Sequence, residues 1–508
     1  MTREPDGGAS ARRLARTAAG TGALAVALLA GTSLLGVSAA VPPVGPPSAG
    51  PPWQLDLHPS PWLVTAALWL TAALGTVAVG AGLRAVALGA RPRPRHVALA
   101  AGAAVAVLVA VPPLGSADHL SYAAYGRIAA QGADPYLTPP SSFRGGSDPV
   151  VSAVQPPWQD TPSVYGPVAT GAMAAVSFAA GPSVRRTVWL WQLLCGAAFL
   201  VVAGLLDSAM RADPGGRARA AVLWTLNPLL LGQLVLGAHV DILAAALAVA
   251  GLVAGARRPL AAGILLGAAV SVKAPYALFG LALLWALRGW PRRDVLRTVL
   301  LGLAGVLVVA VPAHLAAGPH VFDQLSSASR YVSIATPWRA MSNAVDLLIA
   351  PGALRPLVAP LALVLGLALG VLVLRRRLLP AALEARRPGR VPPAVAAAAA
   401  SLTAGWLLTA PYALPWYAAL AWPALALVPA TALDRVLLAQ LAVLTVAYVP
   451  GRVVGLTPTV ETVTLGLRRY AAPVLLAALI VAVVRWAWQG GRTPAAPEVA
   501  AVQRDPVS

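Results

Sequence analysis

The sequence predicts an all-α, polytopic membrane protein, and three observations carry the prediction. Only 11% of the 508 residues are charged while 58% are hydrophobic. Mean hydropathy is +0.73, so too little charge is left to solvate a soluble surface of this size. Apolar runs recur along the chain, among them Thr21–Ala40, Trp62–Leu83, Val97–Pro113 and Leu357–Leu374. Each is long enough to cross most or all of about 30 Å of hydrocarbon. None alternates with the period of two that a lipid-facing barrel strand needs, so the backbone must satisfy itself within helices. We expect about 12–14 membrane helices and a large first external loop.

The elements follow from where the arginines fall. Arg3, Arg12, Arg13 and Arg16 precede the first apolar run, which makes residues 1–20 a cytoplasmic tail. The run is long and reads as an uncleaved anchor; Val37-Ser38-Ala39-Ala40 is the region a signal peptidase would otherwise cut. Val41–Pro61 holds no lysine or arginine and reads as external. Arg84, Arg91, Arg93 and Arg95 then lie inside, and Val97–Pro113 crosses outward to deliver the loop Leu114–Gly166. Val168–Ala180 dips into the membrane, and Val188–Leu206 crosses inward. Later inside clusters are Arg211–Arg219, Arg257–Arg258, Arg288–Arg297, Arg375–Arg390 and Arg435. Keeping these on one side leaves hairpin halves of only about 12–16 residues, short for a full span. Their turns fall near Gly237–Asp241 and Ser271–Pro275, and broken helices of this kind belong beside a polar cavity. Gly318–Asn343 and Pro450–Arg469 read as further external segments. The aromatic turn Pro411–Tyr417 is expected at the external interface. Residues 21–489 thus form the membrane domain, and 490–508 a polar, Pro-rich, disordered cytoplasmic end.

The formal charge of +20 in a soluble chain would point to nucleic acid. Here the basic residues sit between apolar runs, so the expected partner is membrane lipid and no nucleic acid. Cys195 is the sole cysteine, which excludes an intrachain disulfide and a cysteine metal cluster. Of 38 basic residues only Lys273 is a lysine.

A few residues have the chemistry to do more than span. Asp118 falls just past a membrane helix, where partial desolvation raises a carboxyl pKa and suits it to accept a proton. It equally reads as the N-cap of a helix over Leu120–Ala130. Tyr122, Tyr125 and Arg127 follow at spacings that suit an amphipathic helix lying on the membrane. His239 and Asp241 are neighbours at a predicted turn, where the histidine donates to an anion and the carboxylate orients it, or both are satisfied core residues. Lys273 sits within a predicted broken hairpin; an ammonium at the bilayer centre costs about 2.5–3.5 kcal/mol. It therefore faces an anion or snorkels to the interface. Arg330 and Arg339 add positive charge on the expected external side. With Lys273 and His239 they form a set suited to a phosphate, or else they are surface charges.

The run Asp118-His119-Leu120-Ser121-Tyr122-Ala123-Ala124-Tyr125-Gly126 with Gly132-Ala133-Asp134-Pro135-Tyr136, then Tyr165-Gly166-Pro167, Asn227-Pro228, Gly237-Ala238-His239-Val240-Asp241 and Lys273, resembles the actinobacterial polyprenol-phosphomannose-dependent α-(1→6)-mannosyltransferases of the MptA/MptB type, within the GT-C superfamily. The resemblance implies a plasma-membrane enzyme with its active site outside. It implies polyprenyl-phosphate mannose as donor, a lipid-anchored mannan as acceptor, and inversion at the anomeric carbon. It implies Asp118 as catalytic base and Lys273, His239, Arg330 and Arg339 around the donor phosphate. Tyr122, Tyr125, Arg127, Asp134, Tyr136, Tyr165 and Asp241 would then bind sugar or acceptor. A lipid monophosphate leaving group implies no metal and no cofactor. Other readings are another GT-C enzyme, an α-(1→2)-mannosyl- or arabinofuranosyltransferase, or a transporter or lipid flippase. The last would call for inverted repeats and ionisable residues at the midplane.

Overall fold

The computed structural model describes residues 7–45, 48–385 and 389–489; the tail expected to be disordered, 490–508, lies outside them. The described residues are helical and contain no strand. In chain order the helices are α1 Gly7–Leu34, α2 Pro61–Ala87, α3 Pro94–Val109, α4 Asp118–Ala130, α5 Pro167–Ala180 and α6 Val184–Ala209. Then come α7 Pro214–Leu236, α8 Asp241–Ala254, α9 Pro259–Val270, α10 Ala274–Ala286, α11 Arg292–Ala317, α12 His320–Ser329 and α13 Pro337–Leu348. The last are α14 Arg355–Ala385, α15 Pro393–Thr409, α16 Ala418–Ala426, α17 Ala432–Ala447 and α18 Pro458–Gln489.

Proline at the first helical position starts many of these, as at Pro61, Pro94, Pro167, Pro393 and Pro458. There the missing N–H costs nothing and the fixed φ suits the first turn. Ser60, Ser183 and Thr457 add side-chain caps. Among the described residues seven helices are long and apolar enough to cross a membrane, and six apolar helices of 10–17 residues accompany them. The membrane assignment is decided by α11, of whose most apolar window only 6% is buried. Leu300, Leu303, Leu307, Val308 and Leu315 stand exposed along it, and a helix apolar all round in this way needs lipid as its solvent. It grips the rest of the bundle through small residues: a Cβ on Gly263 of α9 would fall 2.0 Å from the Gly302 carbonyl oxygen, and one on Gly305 2.3 Å from that of Leu260. The centre of the bundle is α15 and α16, alanine-rich and buried almost throughout.

Three expectations are corrected. The first helix begins at Gly7 and ends at Leu34, so most of the expected tail is helical, and Ser38–Val41 forms a buried turn, with Ser38 N–H donating to the Val41 carbonyl. The half-hairpin after Arg219 is not short. Pro214–Leu236 runs 23 residues, because Asn227 breaks it and recaps it at once. The Asn227 side-chain oxygen accepts from the N–H groups of Leu229 and Leu230, with Pro228 at the first helical position. Finally, Arg219 is no loop charge. It is 3% exposed, its guanidinium forks onto Asp434 at 2.5 and 3.2 Å, and its remaining nitrogen donates to the carbonyls of Leu425 and Val428. This ties α7 to α16 and α17 at the end of the bundle away from Asp118.

Removing one partner of such a pair strands a buried charge. Asp434→Asn is expected to lower stability by about 3–5 kcal/mol, seen as an earlier thermal unfolding midpoint in detergent. The double variant Arg219→Met/Asp434→Leu should lose distinctly less.

Candidate active site

The connections at the other end of the bundle are stitched together by their backbones. Leu114 N–H donates to Leu236 O and Gly115 N–H to Ala40 O. Arg452, 7% exposed, donates to the carbonyls of Ser38 and Val41 and to the Gln155 side chain. These bonds fix the approach to α4. The helix starts at Asp118 itself, whose N–H donates to Ser116 Oγ at 3.2 Å, and Ala117 occupies the cap position. The Asp118 carboxylate is therefore not spent as a cap. Nor does α4 lie on a membrane surface: His119–Gly126 are all buried. Residues of the 140–154 stretch cover one side. On the other, α5 approaches so closely that a Cβ on Gly126 would stand 2.3 Å from Met173 O.

The turn before α8 brings His239 and Asp241 under Asp118. His239 Nδ1 lies 3.6 Å from Asp118 Oδ2 and 3.4 Å from Tyr122 Oη. Its ring stacks on Trp416, centroids 3.6 Å apart and planes 10° from parallel. Trp191 Nε1 donates to Ala238 O at 2.8 Å, holding the turn where Ala238 takes a left-handed φ of 52°. The break between α9 and α10 supplies Lys273, whose Nζ donates to Asp241 Oδ1 at 2.7 Å and stands 3.6 Å over the Tyr417 ring. Tyr276 Oη donates to Asp241 O. The side chains of Asp118 and Lys273 keep 17% and 19% exposure, against 1% and 3% for His239 and Asp241. The first two are thus the members of the cluster open to the outside, and Asp241 holds Lys273 in place.

Burial pushes the Asp118 carboxyl up to about 7; Lys273 and the Ser116 hydrogen bond pull it down, and Asp241 pushes it up. His119, fully buried with neither ring nitrogen hydrogen-bonded among the described residues, is held neutral, its pKa pushed down to about 3 by burial and then by Arg452. Nothing in the structure explains a histidine there.

The other expected residues fall in different places. Tyr122 and Tyr165 meet edge to face, centroids 5.1 Å apart, at the wall of the cluster. Tyr125 donates to Thr161 O. Arg127 pairs with Asp148 at 3.0 Å, which itself caps Val150, so it braces the loop from within. Asp134 accepts from Tyr136 N–H, and Tyr136 Oη donates to Thr170 Oγ1. Arg330 donates to Ser326 and Ser327 of its own helix, and Arg339 donates to Val332 O while its Nε is buried with no partner among the described residues. Trp191, Tyr276, Trp416 and Tyr417 complete the wall. The turn at 411–417, expected at an interface, instead folds beneath the site because Ser333 N–H and Thr336 Oγ1 both donate to Pro411 O. A cavity of about 70 Å³ lies beyond Trp416, reaching Ser116, Thr71 and Gln233. Among the described residues no three of His, Cys, Asp and Glu gather as metal ligands.

Fold and site together define a multi-pass helical membrane protein with an ionisable cluster buried under one polar loop. The family model for the N-terminal domain of α-(1→6)-mannopyranosyltransferases, the MptA/B family, matches residues 19–289, which hold Asp118, His239, Asp241 and Lys273. The chain belongs to that family. It is 32% identical over 148 residues to a probable α-(1→6)-mannopyranosyltransferase of Mycolicibacterium smegmatis, covering 28% of this chain and 26% of the relative. Over 138 residues it is 30% identical to α-(1→6)-mannopyranosyltransferase B of Corynebacterium glutamicum, covering 27% and 23%. Over 178 residues it is 32% identical to α-(1→6)-mannopyranosyltransferase A of Mycobacterium tuberculosis, covering 34% and 33%. The matches thus span between about a quarter and a third of the length of these relatives. No solved structure matches the chain.

Gly166 is where the loop locks onto the Lys273 turn: its N–H donates to Val272 O, Val168 N–H donates to Ser271 O, and a Cβ would stand 2.2 Å from Ser271 O. Gly166→Ala should push the two apart and lower turnover at least tenfold with normal membrane insertion, whereas Gly171→Ala, with open space at its Cβ, should not.

Proposed function

We propose that the chain is an inverting glycosyltransferase. It moves mannose from polyprenyl-phosphate mannose to a lipid-anchored mannan acceptor at the external face of the plasma membrane, forming α-(1→6) linkages. Family membership and the relatives' names support the sugar and linkage. The observation that carries the chemistry is Asp118: a carboxylate held off its helix's cap, partly open, with a pKa near 7. A general base works best when its pKa lies near the working pH.

The reaction is a single displacement. The acceptor hydroxyl oxygen attacks the anomeric carbon, its proton passes to Asp118, and the bond from that carbon to the phosphate oxygen breaks, releasing polyprenyl phosphate. The developing charge falls on the phosphate. Lys273 has three N–H donors, of which one is directed at Asp241, leaving others for phosphate oxygens. Asp241 orients the ammonium and also offsets part of its charge. His239, stacked on Trp416, packs beneath the carboxylate of Asp118 with its Nδ1 3.6 Å away. Arg330 and Arg339, turned to other partners, are left out of the phosphate site in this proposal, and Arg127 and Asp134 shape the loop that covers it.

The test is a donor panel: purified protein with polyprenyl-phosphate mannose, arabinose or glucose, scored for glycosyl transfer and for lipid translocation. Mannose transfer is expected; movement of lipid without transfer would replace the enzyme by a flippase. Asp118→Asn should abolish transfer. Because the base acts deprotonated, kcat/KM of the wild type should rise with pH through about 7 and level off above it; a flat profile would remove Asp118 as base. Lys273→Met should raise KM for the lipid-phosphate donor more than KM for the acceptor.

A further inference from the structure

The tyrosines expected to stack on sugar are mostly closed off. Tyr122, Tyr125 and Tyr136 are only 1–2% exposed, their faces taken by protein. A second set of rings is part-exposed and has no assigned role. Trp158, from the loop over the site, meets Tyr331 with centroids 6.2 Å apart. Tyr331, between α12 and α13, meets Tyr412 at 5.7 Å, and Tyr412 meets Tyr417 at 6.2 Å. Tyr417 lies under the Lys273 ammonium. Interplanar angles of 51°, 52° and 56° mean that the rings are tilted to one another and do not close their faces in a stack.

Three separate segments thus converge on one row that runs from the loop surface to the catalytic cluster. The row is held rigid at its middle, where Ser333 N–H donates to Pro411 O, Ser333 Oγ to Ala413 O, and Ala413 N–H to Ser333 Oγ. Part-open aromatic faces edged by phenolic hydroxyls suit a pyranose. Its C–H face carries partial positive charge toward the electron-rich ring, and its rim hydroxyls meet polar tips. An aliphatic lipid chain would be served as well by leucine and would gain nothing from those hydroxyls.

We propose that Trp158, Tyr331 and Tyr412 form an acceptor track, a row of subsites for a mannose oligosaccharide whose end hydroxyl reaches Asp118. The proposal rests on the glycosyltransferase reading and deepens it: the track selects acceptors longer than one sugar. It is tested with the full chain in nanodiscs, polyprenyl-phosphate mannose as donor, and an alkyl mannoside or an alkyl α-(1→6)-tetramannoside as acceptor. In Tyr331→Leu, KM for the tetramannoside should rise roughly tenfold more than KM for the monomannoside, the loss of one stacked ring, while KM for donor stays put. Tyr331→Phe, which keeps the ring face and loses only the hydroxyl, should shift the same ratio in the same direction but by less than the Leu variant. An unchanged ratio in the Leu variant overturns the track. Saturation-transfer NMR with mannotetraose gives a readout independent of turnover: signal in the wild type lost in Tyr331→Leu supports the track, and absence of binding to the wild type overturns it. If the wild type binds mannotetraose but transfers no mannose, the donor reading fails and the track stands.

Discussion

The contact between Lys273 and Asp241 is the constraint around which the site is built. Each sits at a break in a short helix pair, and neither charge is tolerable alone in an apolar bundle. At 2.7 Å Lys273 meets one carboxylate oxygen of Asp241, the other oxygen staying buried without a hydrogen-bond partner among the described residues, and the pair holds two helix breaks side by side. A buried pair of this kind is weak evidence for stability. Its value is positional: Asp241 is nearly sealed, with Tyr276 donating to its backbone carbonyl, so the ammonium it holds can only point toward the open side, over Tyr417 and toward Asp118.

Everything polar at that end follows from how the loop docks on those breaks. Gly166 lets the loop backbone reach the Ser271–Val272 carbonyls, and the bonds at Leu114 and Gly115 bring the other end of the loop to Leu236 and Ala40. Asp118 is thereby enclosed by aromatic rings and desolvated, which lifts its carboxyl to about 7. Lys273 moderates that lift. The opposite end of the bundle repeats the principle in a purely structural setting: Arg219 and Asp434 are sealed in at 3% and 6% exposure, and every guanidinium nitrogen there has an acceptor within the protein.

Much of this was legible in the chain. The membrane class follows from composition, because hydrocarbon admits only self-satisfied backbones. Helix starts follow from proline and cap residues, whereas the break and recapping at Asn227-Pro228 show only in the structure. The turn carrying Lys273 is visible because arginine clusters on one side leave the flanking segments too short to span comfortably; the segment before His239 and Asp241, read as short on the same ground, is a helix of 23 residues. Less legible was the fate of individual charges. Arg219 reads as a loop cation, since nothing local distinguishes an arginine with a protein partner from one facing water.

By itself the sequence determined that this is a multi-spanning helical protein, that a helix pair breaks at Lys273, and that Asp118, His239, Asp241 and Lys273 are out of the ordinary in an apolar chain. These properties depend on residues within a turn or two of each other and on the solvent around them. Only the tertiary structure decided that the four meet, that Trp416 and Tyr417 lie beneath His239 and Lys273, and that the open rings are Trp158, Tyr331 and Tyr412 rather than the tyrosines of α4. Those contacts join positions up to about 180 residues apart in the chain, as His239 and Trp416 are, and pairing over such a separation is set by packing of the whole bundle, which no local pattern records.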